Sequence, residues 1–108
     1  MRIPLRDDPT RELTHDELVV QAVQYLEYRG WLVIQTHGPH NRPKQRGVTD
    51  LVACRPHKNL LVEIKTGDDQ LRPDQLEFAD RAIRRGLEIH VVRCFDDLVA
   101  LVHRYEEE

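Results

Sequence analysis

Two apolar runs, VTDLVAC and NLLVEIKT, lie back to back between Val48 and Thr66, parted only by Arg55, Pro56, His57 and Lys58. Short runs rich in Val, Leu and Ile on either side of a Pro-containing turn read as the two strands of a hairpin. Strands that are apolar on both faces belong in a covered sheet, with helices packed above and below. Yet these strands also carry Asp50, Glu63 and Lys65, where a buried strand should carry no charge. If the turn is centred between Pro56 and His57, Asp50 stands opposite Glu63. A shift of half a residue puts Ile64 there instead and leaves the two carboxylates as neighbours. Alternation along the strand sets Glu63 and Lys65 on one face. Three charged groups therefore converge near strand ends.

The flanking segments supply the other elements. Thr14 and Glu17 have capping-box spacing, and Leu13 and Leu18 sit where a hydrophobic staple closes a helix start. Leu18, Val19, Ala22, Val23 and Leu26 continue at helical spacing until Gly30 stops the helix. Trp31 to Thr36 reads as a strand, with Trp31 in the core. A second helix starts near Pro73, with Leu71 and Leu76 as its staple, and its expected buried stripe is Leu76, Ala79, Ala82 and Ile83. Glu88 to Cys94 is a further strand, expected parallel to its predecessor through a right-handed crossover, and Asp96 to Tyr105 forms a short last helix. The order is α-β-β-β-α-β-α: an α/β domain with a mixed central sheet flanked by helices. At 108 residues the chain is one domain, divided here into an arm over residues 1–12, a body over 13–105 and an acidic tail over 106–108.

Composition bears on the partners. No apolar run approaches the roughly 20 residues that cross a membrane, and the N-terminus lacks a signal-peptide core, so a cytoplasmic protein is expected. Cys54 and Cys94 belong to no C-x-x-C pair, which excludes a zinc ribbon; both read as small core residues rather than a disulfide. The net charge of −3 is matched by Glu106, Glu107 and Glu108 alone, so the remainder is neutral and the distribution of charge matters more than its total. Between His37 and Arg46 the segment HGPHNRPKQR holds Arg42, Lys44 and Arg46 and no acid. It reads either as a solvated connection or as a phosphate-facing loop, with His37 and His40 as further phosphate contacts.

Two carboxylates side by side repel, and burying one unpaired costs several kcal/mol, so positive charge must lie between them. Lys65 alone would make a structural ion cluster. A divalent cation would free Lys65 for chemistry, and oxygen ligands without a Cys or His pair select Mg²⁺, with Mn²⁺ able to substitute. Buried ion pairs stabilise little, which favours the cation.

The pattern Gly47-x-x-Asp50-Leu51 followed by Glu63-Ile64-Lys65 resembles the D…E-x-K motif of the PD-(D/E)XK nuclease superfamily. Leu71-x-x-x-Gln75 and the acidic start of the first helix resemble its virus-type replication–repair nuclease (VRR-NUC) branch, over roughly residues 14 to 95. The resemblance implies a restriction-endonuclease-like core and a Mg²⁺-dependent DNA endonuclease of replication, repair or recombination. It further implies branched substrates such as flaps or Holliday junctions, and a homodimer. Asp50 and Glu63 would bind the metal with the backbone carbonyl of Ile64, and Glu17 would complete the site. Lys65 would orient or deprotonate the attacking water and stabilise charge on the phosphate; Gln75 would support that water or Lys65. Arg42, Lys44 and Arg46, extended by His40, Lys58 and Arg72, would contact the DNA backbone. Arg81, Arg84 and Arg85 would extend it further or form a solvated helix face. Thr49 and Arg72 depart from the family's usual proline and Ser or Thr. Glu17 and Gln75 are also accounted for as helix-capping residues, so both readings stay open. Two rival functions are a non-catalytic nucleic-acid-binding module and an HNH-type nuclease built on HGPHNRP, the latter disfavoured by its strand and helix context.

Overall fold

The computed structural model describes residues 12–37 and 46–107; the arm before Glu12, His40, Arg42, Lys44 and Glu108 lie outside them. The elements follow in the expected order: α1 (His15–Tyr28), β1 (Leu32–Gln35), β2 (Leu51–Arg55), β3 (Lys58–Ile64), α2 (Pro73–Arg84), β4 (Ile89–Val92) and α3 (Phe95–Glu106). At the start of α1 the Thr14 hydroxyl accepts the Glu17 N–H at 3.2 Å, and Glu17 Oε1 accepts the Thr14 N–H at 2.9 Å. This reciprocal pair satisfies two of the donors that a helix start leaves open. Leu13 packs on the core beside it.

The sheet runs β1-β2-β3-β4, antiparallel across its first two pairings and parallel across the last. Leu51 pairs with Val62, Ala53 with Leu60 and Arg55 with Lys58. This is the register expected from the sequence, and extended by one residue it sets Asp50 across from Glu63. Pro56 fixes the first corner of the turn, while His57, at φ 65°, adopts the positive φ needed at the second corner of a type II turn.

One sheet face carries the core. Leu51, Ala53, Leu60, Val62, Ile64 and Val92 join Leu18, Ala22 and Leu26 of α1 and Leu98, Leu101 and Val102 of α3 in one buried cluster. Each large aliphatic side chain there contributes about 1.5–3 kcal/mol on leaving water, so this layer drives folding. Trp31 closes one end, 3% exposed, with the Arg55 guanidinium 5.4 Å above its ring. Arg29 and Arg55 both reach Glu106, and Lys58 Nζ donates to the Tyr105 carbonyl. The hydrogen bond from Arg29 holds the Glu106 carboxyl below its ordinary range. Glu106 is thus the last residue of α3 and part of the folded body, not of a tail.

The other face departs from expectation. Of the stripe Leu76, Ala79, Ala82 and Ile83 only Ala82 is buried, whereas Leu76 and Ile83 are 55% and 64% exposed. For α2 the reason is position, because it packs on β4, an edge strand, and part of its stripe overhangs the sheet; for β1 it is width. Four strands about 4.8 Å apart span more than one helix of ~10 Å diameter can cover. Helix α2 packs on β4, and on β1 Leu32 and Ile34 stand 67% and 49% exposed. Cys54 is only half-buried and Cys94, the residue preceding α3, is exposed; both are free thiols and neither is a core residue.

Gly47 locks the entry to β2 against the start of α2. Its φ is +75°, and a Cβ built there would lie 2.1 Å from the Asp74 carbonyl oxygen. Gly47→Ala therefore meets both a disfavoured backbone and an immovable one. We expect a loss of about 2 kcal/mol or more, read as a fall in Tm of roughly 10 °C in thermal unfolding.

Candidate active site

Asp50 stands at the start of β2 with its main chain already anchored. The Thr36 N–H donates to the Asp50 carbonyl at 3.0 Å, and the Thr36 hydroxyl donates to the Thr49 carbonyl. Its carboxylate Oδ2 accepts the Ile64 N–H at 2.8 Å, tying the beginning of β2 to the end of β3. Glu63 and Lys65 project from that end of β3, 4% and 8% exposed. Lys65 Nζ lies 3.6 Å from Glu63 Oε2, an ion-pair separation beyond hydrogen-bond length. The side-chain amide of Gln75, from the first turn of α2, donates to the same oxygen at 2.8 Å.

Glu63 Oε1 is left buried with no hydrogen-bond partner among the described residues. Burial, and then the neighbouring charge of Asp50, push the Glu63 carboxyl above its ordinary range, while Lys65 and the Gln75 amide pull it back. A desolvated acid with one vacant oxygen is a costly arrangement that a cation relieves. Asp50 and Glu63, with the Ile64 main chain between them, have the oxygen chemistry of a hard divalent ion. Among the described residues no three His, Cys, Asp or Glu side chains already close around one point. Carboxylate and main-chain oxygens are the donors that a hard divalent ion takes, with waters completing its shell.

Gln75 fills both roles left open for it. Its Oε1 accepts the Arg72 N–H at 2.9 Å, capping the start of α2, while its Nε2 holds Glu63. Arg72 has no side-chain acceptor to cap the helix, and the Asp74 carboxylate takes the Gln75 N–H instead, at 3.0 Å. Glu17 is held in the capping box with Thr14. From the same helix end it is His15 whose side chain reaches Asp50, Nε2 lying 3.4 Å from Oδ2, with its Nδ1 3.5 Å from the Asp16 carboxylate. His37 lies on the other side, Nδ1 3.6 Å from Asp50 Oδ1. Sequence reasoning passed over His15 and read His37 as a phosphate contact, ranking a metal role for the H-x-x-H pair of His37 and His40 below it. The one available signal was His15's place at the first turn of the helix that also holds Glu17.

The expected DNA-facing residues divide. Arg46 and Arg72 are exposed beside Gly47 and Gln75 at the site's end of the sheet. Lys58 begins β3 while Glu63 nears its end, some ~16 Å away along the strand, and its ammonium is bound to the Tyr105 carbonyl. The structure does not bring it to the site. Arg84 pairs with Asp80 at 2.9 Å and Arg85 donates to the Arg81 carbonyl, as on an ordinary solvated helix face.

A mixed sheet with an acid on one strand start, E-x-K on the next strand end and a glutamine from the following helix defines a nuclease-type domain. The family model of the VRR-NUC domain matches residues 10–96, and the chain belongs to that family. A solved structure described as a VRR_NUC domain matches with a TM-score of 0.68 at 26% identity, over 84% of this chain and 96% of that one. No curated protein matches. Family membership implies nuclease-type function in replication and repair, with DNA as substrate. Among the described residues no helix is long and apolar enough to cross a membrane.

Proposed function

We propose that the chain is a Mg²⁺-dependent DNA endonuclease that hydrolyses phosphodiester bonds in branched DNA. The observation that carries this is the buried Glu63, with its unpartnered oxygen, between Asp50 and Lys65. Asp50 and Glu63 would hold the ion with the Ile64 carbonyl; when bound, it supplies Lewis-acid activation of a phosphoryl oxygen and of a water. Asp50 is pre-set for this by the Ile64 N–H, and Glu63 by Gln75. Lys65 serves the attacking water or the charge developing on the phosphate, inside a pocket where low exposure strengthens its field. Arg46 and Arg72 supply backbone contacts that position DNA without reading its sequence.

The preference for junctions or flaps and the homodimer come from the family likeness. The dimer has support in Leu32 and Ile34, apolar and exposed on an edge strand with no lysine or proline to guard it. The test is nicking of a supercoiled plasmid, with flap and four-way junction substrates in parallel. Cleavage is expected with Mg²⁺ or Mn²⁺ and none with EDTA. Binding without cleavage under every ion would leave a DNA-binding module in place of an enzyme.

A further inference from the structure

We propose that the groove beside Lys65 is a subsite for one unpaired nucleotide of a DNA strand, its phosphate held by Arg93 and its base laid on Leu71, Leu76 and Val91. The subsite rests on the reading of the chain as a nuclease of branched DNA and supplies that nuclease with a means of choosing branches.

Register puts Arg93 at the site. Glu63 pairs with Val91 and Ile64 with Val92 across β3 and β4. The Lys65 N–H donates to the Val92 carbonyl at 3.1 Å, so the next place on that strand, across from Lys65, is Arg93. Alternation sets Val91 and Arg93 on the sheet face that carries Glu63 and Lys65. Asp97 Oδ2 accepts the Arg93 N–H at 3.0 Å and so fixes the main chain from which the guanidinium extends. Asp97 stands in the first turn of α3, where the helix dipole offsets its charge.

Arg93 is exposed, and among the described residues its guanidinium is engaged by a single long hydrogen bond, 3.4 Å to the Gly67 carbonyl. Arg72 and Arg84 are paired with Asp74 and Asp80, but no described carboxylate is in ion-pair reach of Arg93. A guanidinium carries a fork of N–H donors and a charge that no working pH removes, which is the chemistry that takes a phosphate. The groove it borders has a volume of about 420 Å³, within the ~300–1,000 Å³ of small-ligand sites. Its walls are Gln70 and Leu71 from the loop between β3 and α2, with Leu76, Val91, Arg93 and Asp97. Leu76 is 55% exposed, so an apolar floor lies open next to a cation that has no carboxylate. A nucleotide matches both, being an anion with a flat, weakly hydrated flank. A base inside a duplex has its faces covered by its stacking neighbours and its edge paired. Only an unstacked base can lie on that floor, as at a flap arm or a branch point.

The test titrates labelled DNA with the full chain in the absence of divalent ions, so that cleavage does not intervene, and reads fluorescence anisotropy across a range of salt. The probes are a flap, the same flap with an abasic nucleotide at its first unpaired position, and a plain duplex. Arg93→Gln should weaken flap binding about tenfold and lower the salt slope by about 0.7, with duplex affinity nearly unchanged. Arg93→Lys, which keeps the charge, should keep the slope. Leu76→Gln, at an exposed helix position, and the abasic flap should each weaken binding about fivefold, and the two together should weaken it no further than either alone. Circular dichroism checks the fold of each variant. Equal losses on flap and duplex in Arg93→Gln, an unchanged salt slope, or full-strength binding of the abasic flap overturns the proposal. The expected binding pattern with no cleavage under any ion would remove the enzyme and leave the subsite standing. No binding of any probe by the wild type would strike down the DNA substrate and the subsite together.

Discussion

Lys65→Ala is expected to cut the cleavage rate about 10²–10³-fold, the usual effect of deleting one preorganised charge at a reacting centre, while DNA binding persists. Lys65 is buried beside Glu63, whereas Arg46 and Arg72, proposed to contact the DNA backbone, are exposed. Its removal also leaves the Glu63 carboxylate without its nearest cation, so the variant should lose stability at neutral pH and recover it in acid, where Glu63 is protonated. Single-turnover cleavage of a labelled duplex, alongside melting curves at two pH values, separates the two effects. Cleavage undiminished in a folded variant would remove Lys65 from the chemistry.

Glu63→Gln should also abolish cleavage, but with the opposite effect on the ion-free fold. In the native state burial and Asp50 hold the Glu63 carboxyl above its ordinary range. A raised acid keeps its proton in the folded chain after the unfolded chain has released it. Its contribution to stability is therefore full below the ordinary carboxylate range and is lost as pH rises through the raised value. Glutamine has no proton to lose, so the variant's stability should stay flat where that of the wild type declines, and exceed it at neutral pH without divalent ions. Saturating Mg²⁺ or Mn²⁺ should reverse the order. An ion at a hundred times its Kd stabilises by about 2.7 kcal/mol, and only the wild type can use it fully. If the ion raises the Tm of both chains equally, Glu63 is not a ligand.

The hairpin register was legible because the apolar alternation and the Pro56–His57 turn allow few solutions, and the pairing of Leu51 with Val62 is among them. The start of α1 was legible because Thr14 and Glu17 lie within one turn of each other. The buried face of α2 was not. Leu76 and Ile83 show by spacing that the helix has an apolar side, but nothing local says whether the sheet beneath is broad enough to meet it. Gln75 resisted a choice between cap and site because its amide has two ends and each is used. His15 was missed for a different reason: its partner lies 35 residues further along the chain, and a histidine opening a helix carries no sign of what the fold brings beside it.

Kinship and architecture end at different places in this chain. The family match stops at residue 96, the second residue of α3, but Leu98, Leu101 and Val102 of that helix fill the inner layer against α1 and β4, and Glu106 is gripped by Arg29 and Arg55. A fragment trimmed to the edge of family likeness would retain every reactive group and lose the floor on which they stand. Sequence drift in α3 is accordingly open along its outer side and closed along those three aliphatic positions.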